Sequence, residues 1–247
     1  MRIDGPLDAA ALLLVGSLGT DLGMWDGQLP LAEDLRLVRF DHRGHGGSPA
    51  PPGPYQIEDL AGDVLALMDS LGLGRASYAG LSLGGMVGMW LAAHAPERID
   101  RLVLICTAAR LPNAAAYAER AAAVRAAGSL ESIADGVLRL WLTGGFAAAH
   151  PDLRSALRSM LTATDAEGYA GCCEAIAGFD LRGELHRIAA PTLVISGAQD
   201  AATPVRLQEQ IAASVPNARH EIIEAAAHLA AVEQPDRINQ LIGEHLR

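Results

Sequence analysis

Ala79-Gly80-Leu81-Ser82-Leu83-Gly84-Gly85 is the stretch on which the reading of this chain turns. It follows a strand-like run at residues 75–78 and leads into an apolar helical pattern over residues 86–95. Gly-x-Ser-x-Gly between a strand and a helix is a nucleophile elbow, a turn so tight that the serine takes strained dihedrals. Its flanking positions, Gly80 and Gly84, have almost no room for side chains. The Ser82 hydroxyl then projects at the head of a helix, where free backbone N–H groups stabilise negative charge. The plainer reading of these residues alone is a glycine-rich turn with an incidental serine. The surrounding chain decides between the two.

Apolar runs alternate with helical patterns, which predicts a mostly parallel sheet with helices on both faces. Strands are expected at residues 11–15, 35–40, 75–79, 102–106, 192–196 and 220–223. Several are continuous β-branched or leucine runs, as strands buried on both faces require. Leu60, Val64, Leu67, Met68 and Leu71 fall on one side of a helix over residues 57–71. A last helix starts at about Pro235, with proline at its first position. Residues 111–187 break the alternation and read as about four helices with no strand. Inserted in the core formed by residues 1–110 and 188–247, they form a helical cap over the carboxyl end of the sheet, where open α/β sheets bind ligands.

At 247 residues and 50% hydrophobic, the chain supports one large core. No apolar run nears the ~20 residues of a membrane span, and residues 9–15 lack the basic flank and cleavage site of a signal peptide. The net charge of −10 argues against nucleic acid and anionic membrane surfaces as partners. Three cysteines, Cys106, Cys172 and Cys173, make a poor disulfide framework and point to a reducing, cytoplasmic compartment. No Cys/His spacing matches a zinc site, so no metal is expected. All 19 basic residues are arginine, which is read as codon bias in a GC-rich genome.

A serine hydroxyl is a weak nucleophile; it needs a base in hydrogen-bond reach and an acid to orient that base. The acid is expected where a strand ends after the cap. Thr192-Leu193-Val194-Ile195-Ser196 is such a strand, and Asp200 follows it. The base is expected after the next strand, and Ala225-Ala226-Ala227-His228 supplies it. Ser82, Asp200, His228 is the chain order of an α/β-hydrolase triad. Asp180 and Glu224 fail as acids because neither follows a strand at the correct point. His220 begins a strand and is expected to be exposed. His42 and His45 lie in Asp41-His42-Arg43-Gly44-His45-Gly46, read as a structural turn, and His94 as a solvated or capping residue. Two N–H donors are needed for the oxyanion: Leu83, after the nucleophile, and Leu18, from the loop after the first strand.

With these residues in place, the chain resembles the 3-oxoadipate enol-lactonases, α/β-hydrolases of aromatic catabolism. The resemblance runs from about Leu14 to the C-terminus. It is carried by Ser17-Leu18-Gly19-Thr20-Asp21-Leu22-Gly23-Met24-Trp25-Asp26, Thr162-Ala163-Thr164-Asp165, Gly168-Tyr169-Ala170-Gly171-Cys172-Cys173-Glu174-Ala175-Ile176, and Ala226-Ala227-His228 with Val232-Glu233-Gln234-Pro235. Arg43-Gly44-His45-Gly46 and the elbow through Met86 are shared widely and identify only the fold. The chain departs from the family at Gly16, where asparagine is usual, and at Leu140-Trp141-Leu142-Thr143, where Arg-Trp-Phe-Thr is usual. The N-terminal hairpin that normally precedes the first strand is largely missing unless residues 1–7 supply one short strand; an uncovered sheet edge there invites homo-oligomers.

The resemblance implies opening of a small lactone, 3-oxoadipate enol-lactone, to 3-oxoadipate through an acyl-enzyme on Ser82, with no cofactor. A substrate carboxylate entering an apolar cleft needs a cation. Arg139 is the cap candidate for it, beside the motif where the family carries its arginine, and Trp141 is expected as a pocket wall. The same triad also serves esterases, perhydrolases and carbon–carbon hydrolases, and the fold can act as a ligand receptor without turnover.

Overall fold

The computed structural model describes residues 1–247. Seven strands form one sheet: β1 (Arg2–Asp4), β2 (Ala11–Val15), β3 (Arg36–Phe40), β4 (Ala76–Leu81), β5 (Ile99–Ile105), β6 (Thr192–Gly197) and β7 (Ala218–Ile223). Their order is β1-β3-β2-β4-β5-β6-β7. All neighbours run parallel except β1, which pairs antiparallel with β3. Leu12, Leu13 and Leu14 of β2 are all buried, as a central strand covered on both faces demands. The short β1 is the strand that residues 1–7 contribute, and it lies at the sheet edge.

Ten α-helices complete the fold. α1 (Ile57–Ser70) packs on α2 (Leu83–His94), which follows β4 directly. Between β5 and β6 lie α3 (Ala114–Ala127), α4 (Glu131–Trp141), α5 (Gly144–Ala149), α6 (Pro151–Thr162) and α7 (Ala166–Gly178). These are five helices where periodicity suggested about four; the extra division falls at His150-Pro151, since proline suits the first turn of a helix and not its interior. α3 packs on α7 and α4 on α6. α8 (Val205–Ser214), α9 (Ala230–Glu233) and α10 (Pro235–Leu246) close the chain.

α8, α9 and one long 3-10 segment have no counterpart in the sequence reading. Residues Leu22–Glu33 form a 3-10 helix capped by Asp21, whose carboxylate accepts the Gly23 N–H. With Pro30 inside and no 3.6-residue stripe, it leaves no amphipathic signature. It runs straight on from the loop after β2 and packs on α10, so that loop is held at both ends.

Candidate active site

β4 ends at Leu81, α2 begins at Leu83, and Ser82 between them has φ 56° and ψ −112°. A serine in such a backbone costs on the order of 1–3 kcal/mol and persists only where its surroundings impose it. They do. Ser82 N–H donates to Ile105 O at 2.9 Å, and Ser82 O accepts the Thr107 hydroxyl at 2.7 Å. A Cβ on Gly80 would stand 2.3 Å from Gly84 O, and one on Gly84 would stand 2.2 Å from Val15 O. Both contacts are to backbone, which cannot yield, so only glycine fits at either position.

Asp200 follows β6 and is buried. One carboxylate oxygen accepts the Ala202 and Thr203 N–H groups at 2.8 and 2.9 Å; the other accepts the Thr203 hydroxyl at 2.6 Å and His228 Nδ1 at 2.9 Å. Burial alone would raise its pKa, but His228 and Thr203 outweigh this and hold it below the usual carboxylate value. Nδ1 of His228 is therefore the protonated ring nitrogen, and Nε2 is left with its lone pair. His228 and Ser82 line one small cavity together with Leu18, Tyr117, Arg120 and Trp141. That combination can deprotonate a hydroxyl and deliver it to an acyl carbon.

Two of the expected competitors lie elsewhere. Asp180 is bonded to Arg182 and Arg110, and chiefly the Arg182 bond pulls its carboxyl down to about 2. Glu224 is exposed. His220, expected to be exposed, is half-buried and bonded to Ser196 Oγ at 2.7 Å, because β7 starts at Ala218 and carries it into the sheet.

The N–H of Leu18 is engaged by no acceptor of the protein, and Leu18 lines the cavity. Leu83 opens α2, so its N–H is among the first-turn donors that a helix leaves free. Trp141 is buried and forms cavity wall with Val137 and Leu140. Arg139 is a correction: it is exposed and does not line the cavity, since Val137 and Trp141 of the same helix take the inward positions. The arginine at the cavity is Arg120 of α3, which no sequence motif marked. Its guanidinium stands 4.9 Å above the Tyr117 ring and beside Tyr169. It forms no ion pair, whereas Arg125 on the same helix is locked to Glu167 and Glu174.

Glu233 enters the sequence reading only as part of the resemblance, with no role of its own. Its buried carboxylate accepts the N–H and hydroxyl of Thr143, both at 2.8 Å, and the N–H of Ala227, the residue before His228. No group of three His, Cys, Asp or Glu side chains is arranged to hold a metal ion. A separate groove lined by Trp90, His94 and Glu184 contains no serine, threonine or cysteine.

Comparison with known proteins bears on this geometry. The family model for the alpha/beta hydrolase fold matches residues 10–235, most of the chain. The chain belongs to the α/β-hydrolase fold family. Within that family it is 41% identical to 3-oxoadipate enol-lactonase 2 of Acinetobacter baylyi, over 96% of this chain and 89% of that protein. The crystal structure of the enol-lactonase from Burkholderia xenovorans LB400 superposes with a TM-score of 0.96 at 41% identity, covering 99% of this chain and 95% of the other. A candidate carbamate hydrolase, RutD of Stutzerimonas stutzeri, is 32% identical over 97% of this α/β-hydrolase and 92% of its own length.

Proposed function

We propose that this hydrolase opens 3-oxoadipate enol-lactone to 3-oxoadipate. The observation that carries the reading is the 41% identity to a 3-oxoadipate enol-lactonase over nearly the whole chain. His228 Nε2 takes the proton of Ser82 as Oγ attacks the lactone carbonyl, and the Leu18 and Leu83 N–H groups bond the oxyanion. Collapse breaks the ring C–O bond and releases an enolate. That leaving group takes back a proton and relaxes to the ketone, so ring opening needs little acid assistance. Water, deprotonated by His228, then attacks the acyl carbon; Ser82 leaves with the proton, and the dicarboxylate product departs. Asp200 keeps the imidazole in the required tautomer and stabilises its cation. Each backbone donor to the oxyanion contributes about 3 kcal/mol at the transition state.

Arg120 is assigned to the substrate's acetate carboxylate. It is a cation on the cavity wall with no protein counter-ion, set over an apolar ring, which suits a carboxylate that has shed its water. Arg139 is off the cavity wall, and Leu140, which stands where the family carries its arginine, lines the cavity but bears no charge.

The test is a substrate panel on purified protein: the enol-lactone, its acetate methyl ester, a neutral aryl ester and a simple carbamate. The enol-lactone should give the highest kcat/KM, with the methyl ester at least about tenfold lower, the value of one charge-assisted hydrogen bond. Faster turnover of the carbamate or the aryl ester overturns the reading. Equal rates on lactone and methyl ester overturn the assignment of Arg120 alone.

A further inference from the structure

We propose that His42 and His45 are positioning residues for the oxyanion donor: they clamp the loop at Gly16–Gly19 from both sides so that the Leu18 N–H stays aimed at the reacting carbonyl. The inference rests on Ser82 as the nucleophile and Leu18 as a donor; it does not depend on which acyl compound is the substrate.

Three consecutive peptide groups surround the donor. The Gly16–Ser17 group is held by His42, whose Nε2 donates to Gly16 O at 3.1 Å, and by the Gly84 N–H, which donates to the same oxygen at 3.0 Å. The Ser17–Leu18 group carries the donor itself; its carbonyl accepts the Thr20 N–H at 3.2 Å and the Thr20 hydroxyl at 2.9 Å. The Leu18–Gly19 group is held by His45, whose Nε2 accepts the Gly19 N–H at 2.9 Å. The carbonyls of the first two groups and the N–H of the third are thus tied down. The Leu18 N–H, at the centre, is the one left for a ligand.

Ring geometry specifies the state of each histidine. Nδ1 of His45 lies 3.0 Å from Arg43 O, so it donates there and Nε2 is the acceptor that Gly19 requires. His42 has the opposite requirement, with its proton on Nε2. Both rings are buried and neither lines the cavity, so neither touches substrate. Gly19 itself sits at φ 81°, in the left-handed region, and a Cβ there would meet the Leu161 side chain of the cap at 2.5 Å, so the position suits glycine. The loop is also joined to the nucleophile's helix, since the Gly84 bond to Gly16 links the two halves of the oxyanion site.

A purely structural turn would lose stability when altered but would not lose transition-state affinity selectively. The experiment compares wild type with His45→Ala, His45→Gln and His45→Asn on a neutral 4-nitrophenyl ester. Binding of an alkyl trifluoromethyl ketone, whose hemiketal places charge on oxygen, is measured in parallel. Gln extends an acceptor to the position of Nε2; Asn falls short of it. His45→Ala should lower kcat/KM about 100-fold, the order seen when an oxyanion donor is lost, mostly in kcat, with KM within threefold. His45→Gln should recover at least tenfold of that, and His45→Asn should not. The inhibition constant of the ketone should rise by the same factor as kcat/KM falls in each variant. If His45→Ala does not fold, the Gln and Asn pair decides, with Asn expected about tenfold below Gln. Variants within threefold of wild type, or losses not mirrored in ketone affinity, overturn the inference. If wild type hydrolyses no ester and a phosphonate leaves Ser82 unlabelled, the nucleophile reading fails and the clamp falls with it.

Discussion

At the scale of single residues, the candidate triad is legible in the sequence because each member is tied to the end of a strand. Ser82 sits in a turn that only glycine neighbours permit, and Asp200 and His228 follow consecutive strands in the order the fold imposes. Arg120 and Glu233 are not legible in that way. Their roles depend on which helix faces which, and Arg120 looks like any arginine in an alanine-rich helix. Nearness to Trp141 in sequence points to Arg139, but two residues along a helix is the wrong spacing for sharing a face. For Asp200, replacement by Asn should lower turnover by about 10⁴, through misorientation of His228 and loss of support for its cation. Steady-state kinetics of Asp200→Asn beside Asp180→Asn and Glu224→Gln decide the acid; a larger loss at either of the latter two contradicts the assignment. The cysteines are not poised as nucleophiles: burial pushes the Cys173 thiol up to about 12 and the Cys106 and Cys172 thiols upward too, which disfavours a thiolate near neutral pH.

At the scale of elements, strands were readable from continuous apolar runs and differ from expectation by a few residues at their ends. β4 runs on to Leu81, through Gly80, because its partners in β5 continue to Ile105. The 3-10 segment was not readable, since it leaves no 3.6-residue stripe, whereas the extra division of the cap is marked in the sequence by Pro151. The junction of cap and core is tertiary in origin. Glu233 joins the turn after α4 to the residue before His228, and Leu229 N–H adds a bond to Trp141 O at 2.9 Å. In Glu233→Gln one of these acceptor oxygens becomes a donor, facing either the Ala227 or the Thr143 N–H. The expected cost is about 1–3 kcal/mol of stability, seen as a lower denaturation midpoint. Turnover should fall by roughly tenfold as His228 shifts. A variant with unchanged turnover and unchanged midpoint contradicts this account of the junction. A second junction lies at Gly44 and Gly168, where a Cβ on either would come within 2.3 Å of the other's backbone, so the turn carrying His42 and His45 touches α7 directly.

At the scale of the whole molecule, the sheet, its capping helices and the site between them form one core, and no helix is long and apolar enough to cross a membrane. The buried histidines make its stability depend on pH in a definite direction. Burial pushes His42 down to about 3 and also lowers His45. In the unfolded chain both take up a proton near ~6.5. Above that pH neither state binds the proton and stability is at its full value. Below it the unfolded state gains protons that the native state refuses, so stability is lost as pH falls below ~6.5, by on the order of 1 kcal/mol per pH unit for each histidine until its own lowered native pKa is reached, about 3 for His42. Urea midpoints at pH 7.5 and 5.5 check this, because carboxylates of both states are still ionised in that window; equal midpoints contradict it. The central claim, that the chain opens 3-oxoadipate enol-lactone on Ser82, is tested most directly by rapid acid quench of wild-type protein with the lactone, followed by mass analysis of peptides. The account predicts an adduct with the mass of the whole lactone on the peptide containing Ser82, formed and lost at the rate of turnover. In Ser82→Ala the adduct should be absent and turnover reduced by on the order of 10⁴ or more. Turnover without an adduct, an adduct on another residue, or an active Ser82→Ala contradicts it.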